Sequence, residues 1–170
     1  SVRTEEPLLV GCKSHPDFDR CFSTSYSWGQ KLTSIDLVEE GVPEWILDRI
    51  RARIVVSEWV APRFDCASKY QMYAQLMREG EKFGRTPRLP HYKVVKKEWP
   101  QPTNPAEWER VEMVFDEYPM GMREIGVLSQ EKGEHHTYRG SNFANLQIRI
   151  EMPDKFRWLS EADIPDGEMA

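Results

Sequence analysis

A chain of 170 residues has the length of one domain, and its 28 acidic residues against 23 Lys and Arg leave a net charge of −5 at pH 7. A nucleic-acid footprint needs a surplus of Lys and Arg, so the balance argues against that class, and three cysteines (Cys12, Cys21, Cys66) are too few for a disulfide scaffold. No run approaches the roughly 18 apolar residues of a membrane span, and Ser1–Leu9 shows no signal-peptide pattern.

Ser1–Lys31 scatters Pro7, Gly11, Pro16 and Gly29 among Ser, Asp and Lys and keeps no period. It reads as an extended arm (1–32) anchored by Phe18, Phe22, Tyr26 and Trp28, aromatics that pack either on their own domain or on a partner. Thr33–Glu40 reads as a short helical turn with Ser34 as cap and Gly41 as closure. Pro43 suits the first position of a second turn, Glu44–Asp48.

Arg53-Ile54-Val55-Val56 is rich in β-branched residues, which predicts a strand over Ala52–Trp59. Lys69–Met77 is open between strand and helix: Tyr70, Met72, Ala74 and Leu76 alternate, but the same residues form a passable helical face. Tyr92–Trp99 reads as a short strand. Asn104 as cap, Pro105 at the first helical position and Glu107 reaching back predict a helix over Asn104–Tyr118, with Trp108, Val111, Phe115 and Tyr118 on one face. Arg123–Ser129 is a weak strand, and Glu131–Gly140 is polar and turn-rich. Leu146, Ile148, Ile150 and Met152 alternate with polar residues, a half-buried strand or an extended segment. The acidic tail from Asp154 carries Phe156, Trp158 and Leu159 as its anchors.

Two clusters could carry chemistry. Cys12, His15 and Cys21 supply three soft ligands, with Cys66, His91, His135 or His136 as a fourth, but no second tight ligand pair supports zinc; thiols are the plainer reading. Glu134, His135 and His136, near Arg139, form a titratable group in a polar loop, where a solvated loop competes with acid–base catalysis. No nucleophile elbow, phosphate loop or dinucleotide fingerprint is present, and Lys93, Lys96 and Lys97 read as a solvated strand face.

Three stretches carry a family likeness. They are Gly41-Val42-Pro43-Glu44 leading into Arg53-Ile54-Val55-Val56, then Lys69-Tyr70-Gln71-Met72, then Tyr138-Arg139-Gly140-Ser141-Asn142-Phe143. Their order over Thr33–Asn145 resembles the mitochondrial complex I (NADH:ubiquinone oxidoreductase) accessory subunit numbered four of the iron–sulfur protein fraction. That resemblance implies a non-catalytic, cofactor-free subunit on the matrix side of the inner membrane, bracing the NADH-oxidising module of the peripheral arm. Its partners would be other subunits of the complex, with no nucleic acid, no membrane span of its own and no homo-oligomer. Tyr138, Asn142 and Phe143 would dock a partner.

The expectation is therefore an α+β fold. A small, mainly antiparallel sheet is packed by one principal helix in a core over 33–145, between an N-terminal arm (1–32) and a C-terminal extension (146–170). The function expected is structural. The rivals are a small enzyme using Glu134, His135 and His136, and a metal- or RNA-binding module.

Overall fold

A computed structural model describes residues 2–5, 13–24, 29–64, 66–84, 91–102, 106–133 and 141–155. Nine strands hold more than half of them: β1 (Val2–Glu5), β2 (Cys21–Thr24), β3 (Gly29–Asp36), β4 (Arg53–Ala61), β5 (Ser68–Arg78), β6 (Tyr92–Trp99), β7 (Glu109–Phe115), β8 (Met122–Gly133) and β9 (Asn142–Glu151). They form a five-stranded sheet in the order β1-β2-β9-β4-β7 and a four-stranded sheet in the order β3-β8-β5-β6. Every pairing is antiparallel.

The two sheets share one core. Ile54, Val56 and Val60 of β4, Val111, Met113 and Phe115 of β7, and Phe143 of β9 face Tyr70, Met72, Ala74 and Leu76 of β5 and Ile125 and Val127 of β8. Each set follows the period of two that puts alternate side chains on one face of a sheet. At one side the sheet edges are joined by side chains. Lys97 Nζ meets Glu109 at 3.0 Å, Trp99 Nε1–H donates to Glu109 at 3.3 Å, and the Lys93 ammonium lies 5.5 Å from the centre of the Phe115 ring.

The expected α+β fold is thereby corrected to an antiparallel two-sheet sandwich. The principal helix over Asn104–Tyr118 does not form: 103–105 lie outside the described residues, and β7 occupies Glu109–Phe115. Val111 and Phe115 fit helical spacing with Trp108 and Tyr118, but they also fit alternation with Met113, and tertiary pairing with β4 selects the strand. The first helical turn is replaced too, since residues 33–36 pair with β8 as the end of β3. The only helix among the described residues is the short π-helical stretch Ile46–Ile50, which buries Leu47 and Ile50. It ends at Arg51 in the left-handed region (φ 56°), whose N–H returns to the Ile46 carbonyl at 2.8 Å.

The arms are not extended appendages where they are described. β2 hydrogen-bonds to β9, and β9 lies between β2 and β4 in the middle of its sheet. The boundary drawn at 32/33 falls inside β3, and that at 145/146 falls inside β9. The open choice at 69–77 resolves as strand β5, and the strands expected over Ala52–Trp59 and Tyr92–Trp99 become β4 and β6.

Candidate functional site

Inside the sandwich, charge sits where apolar residues would be expected. Glu58 is in phase with Ile54, Val56 and Val60 and is only 2 % exposed. It lies where β9 carries an extra residue, with Asn145 in the left-handed region (φ 54°). One carboxylate oxygen, Oε1, accepts hydrogen bonds from the Tyr70 hydroxyl and, at 2.7 Å, from Ser129 Oγ, both on the opposite sheet. Burial pushes the Glu58 carboxyl up to about 7, against the pull of both hydroxyls and of the Lys31 charge. Burial and the Glu58 charge push Tyr70 well above its ordinary value. The Lys31 ammonium lies over the Phe22 ring at 3.8 Å. Glu131, also fully buried, accepts a hydrogen bond from Ser141 Oγ at 2.8 Å.

Glu58 titrates near neutrality, but Tyr70, Ser129 and Glu58 are all closed to solvent. It clamps one sheet to the other. Among the described residues no group of three or more His, Cys, Asp or Glu side chains is arranged to hold a metal ion.

The sequence-derived candidates are dispersed. Cys12, the Glu134–His136 cluster, Tyr138 and Arg139 lie outside the described residues. His15 stacks on Phe18 and meets Trp59, each with ring centres 4.3 Å apart, and its Nδ1 accepts the Asp17 N–H at 3.1 Å. Phe18 meets the Trp108 ring edge-on at 4.9 Å, and Trp108 Nε1–H donates to the Lys13 carbonyl at 2.8 Å. The segment around His15 thus straps the outer side of β4. Cys21 and Cys66 are buried. Asn142 and Phe143 are 1 % and 0 % exposed, and the pocket that seats the Phe143 ring is the chain's own core, against Phe22 and Tyr70.

The surface that sequence reasoning missed is the outer face of the four-stranded sheet. Register places Leu32, Leu128, Tyr73 and Val94 in one row across β3, β8, β5 and β6. Leu32 is 55 % and Val94 39 % exposed. Beside that row runs a polar row, the amides of Gln30, Gln130 and Gln71 and the ammonium of Lys96, with Gln130 Nε2 donating to Gln30 at 3.0 Å. On the other side Phe83 lies over Gly126, where a Cβ would meet the ring at 2.5 Å, so only glycine fits there.

Two residues further along β3 and β8, Asp36 pairs with Glu124 at the mouth of a pocket of about 230 Å³. The pocket is lined by Asp36, Val38, Glu39, Glu44, Glu79, Arg123 and Glu124. Its guanidinium is already held: Arg123 bonds both Asp48 oxygens, at 2.9 and 2.7 Å, and Glu44 lies 3.6 Å away. Burial raises the Asp48 carboxyl, but the Arg123 hydrogen bond, the Gly121 N–H and the charges of Arg123 and Arg49 outweigh it, leaving it below its ordinary value. Asp48→Ala strips the acceptor from the Arg123 guanidinium and the Gly121 N–H together, and denaturant titration at neutral pH should show a loss of roughly 1–3 kcal/mol. The wild-type contribution is complete above the ordinary carboxylate range and is lost as pH falls through the lowered value.

The profile of the F-box associated region matches residues 1–149 of this chain. F-box only protein 6 of Homo sapiens is 37 % identical over 123 residues, covering 72 % of this chain and 39 % of that protein. F-box only protein 44 of Homo sapiens is 35 % identical over 134 residues (78 % and 50 %), and F-box only protein 27 of Macaca fascicularis is 35 % identical over 137 residues (78 % and 46 %). The chain spans about two-fifths to a half of the length of these curated relatives. The likeness to the complex I subunit is overturned by these matches, and with it the respiratory role, the complex I partners and the mitochondrial inner-membrane placement. Its motifs were generic sheet chemistry: Arg53–Val56 opens β4, Lys69–Met72 is plain β5 alternation, and Gly41 (φ 101°) closes a turn.

Proposed function

The chain belongs to the F-box associated family, and on that premise we propose that it is the substrate-recognition domain of an F-box adaptor in a ubiquitin ligase. The observation that carries this reading is the family match over residues 1–149, nearly the whole sandwich. In the whole protein the F-box joins the scaffold of a cullin-type ligase, and this domain holds the protein to be modified; the family relationship favours glycoproteins as that class. The domain binds and positions, and ubiquitin transfer belongs to other subunits. Its work is done in the cytosol or nucleus.

Within this reading Tyr138 is a docking residue of the segment between β8 and β9. Asn142 and Phe143, being buried, serve docking by fixing where β9 begins. The test compares the full-length protein with the 170-residue chain alone. The full protein should co-purify the ligase scaffold and its clients, whereas the chain alone should retain the clients and lose the scaffold. Enzymatic removal of glycans from the lysate should reduce client capture, and so should Tyr138→Ala. Clients that bind only when the F-box is present, or co-purification with respiratory subunits, would overturn the reading.

A further inference from the structure

We propose that the outer face of the four-stranded sheet and the acidic pocket at its end form one docking surface. Its occupant is an extended protein segment with apolar side chains followed, about four residues on, by Lys or Arg. The inference deepens the substrate-recognition reading and rests on it for the partner being a protein.

The apolar half of the surface is the row Leu32, Leu128, Tyr73 and Val94, extended by Phe83 where it lies over Gly126. Exposed large apolar side chains are few. Five are found among the described residues, and three of them, Leu32, Val94 and Val38, lie on this face or in the pocket. Scattered singly they would need no account, but gathered in one row and at the mouth of one pocket they mark an interaction surface. The hydrogen-bonded amides of Gln30 and Gln130 form a polar border, as an interface rim does.

The charged half fixes the chemistry of the occupant. Asp36, Glu39, Glu44, Glu79 and Glu124 line the pocket with Arg123 as their counter-charge, and Arg123 is clasped by Asp48 from behind. An acidic group entering the pocket would meet five carboxylates and a guanidinium already neutralised. A Lys or Arg side chain meets complementary charge, and the stem of either packs on Val38. Leu32 and Asp36 lie on the same strand four residues apart, which at strand rise is roughly 13 Å, the reach of an extended segment of the same length.

The test uses the complete 170-residue chain and two fluorescent peptides of roughly a dozen residues. One carries two leucines followed about four residues on by two arginines; its twin has glutamates in place of the arginines. Fluorescence anisotropy should show the arginine peptide binding about tenfold or more tightly than its twin, with added salt weakening it. Leu32→Glu and Glu124→Lys should each weaken it by about tenfold, while thermal melts confirm that both variants fold. If Leu32→Glu does not fold, Val94→Glu serves in its place. Equal binding of the twins, undiminished binding by the folded variants, or no binding of either peptide overturns the proposal. So does a concentration-dependent dimer in light scattering that Leu32→Glu abolishes, since the face would then be covered by a second copy. Client capture by the full-length protein is measured in parallel. If capture persists while peptide binding fails, the surface is wrong and the recognition reading stands; if capture fails while the peptide binds, the reverse holds.

Discussion

Raising pH from about 5 to about 8 should cost the folded protein on the order of 3 kcal/mol through Glu58 alone, and Glu58→Gln should abolish that loss. The carboxyl has an ordinary value of 4.5 and stands at about 7 in the sandwich. Between these values the unfolded chain has released the proton and the folded chain still holds it, so the folded state binds more protons. Stability therefore falls as pH rises, fully present below 4.5 and lost through about 7. The cause is desolvation: ionised Glu58 is 2 % exposed, and two hydroxyls with Lys31 only partly offset its burial. Glutamine keeps a carbonyl oxygen for Tyr70 and Ser129 to donate to and carries no charge. The variant should match wild type within about 1 kcal/mol near pH 5 and exceed it by about 3 kcal/mol near pH 8 in urea titrations. Parallel pH profiles for the two proteins would show that Glu58 ionises without penalty, and the clamp would then need another account. Tyr70→Phe removes one of the two donors and should steepen the wild-type profile.

What could be read from the residues depended on whether the local pattern and the tertiary pairing agreed. In β4 they did, because Ile54, Val55 and Val56 are β-branched and the strand is central, bordered by β7 and β9. In β7 they did not. Val111 and Phe115 satisfy both periods, and a Pro-led capping pattern just before them favoured helix until β4 supplied a ladder. β3 gave almost no signal, since its inward positions are Gly29, Lys31, Thr33 and Ile35, with a single large apolar side chain among them. The interior clamp was legible in principle. A glutamate in phase with Ile54, Val56 and Val60 is either a break in the strand or a buried acid with partners. Its partners, Tyr70 and Ser129, lie 12 and 71 residues away, and no local rule connects them. The docking face has the same character. Leu32, Leu128, Tyr73 and Val94 come from four strands and become one row only when the register is known. Family membership was hidden for a related reason, because the short motifs that were legible are shared by any antiparallel sheet.

Phe143→Ala should be among the most damaging single truncations in the core, costing roughly 3–5 kcal/mol. The ring is fully buried, stacked on Phe22 at 5.5 Å between centres and tilted against Tyr70 at 6.4 Å. Its backbone pairs with Phe22 on one side and Val60 on the other, so the side chain sits where β2, β9 and β4 meet. Alanine leaves a cavity that strands held by ladder bonds on both edges cannot close, and the transfer and cavity losses then add. The damage should also have a direction. β1 joins the sheet only through β2, and β2 pairs with β9 at just Phe22–Phe143 and Ser23–Asn142. Hydrogen exchange should therefore show amides of β1 and β2 losing protection before those of β4 and β5. In urea titrations the midpoint should fall with little change in slope, while Met152→Ala, at a side chain 44 % exposed, should stay within about 0.5 kcal/mol of wild type. A cost for Phe143→Ala no greater than that of Met152→Ala would mean that the ring does not hold the sandwich together, and that Phe143 is available to a partner after all.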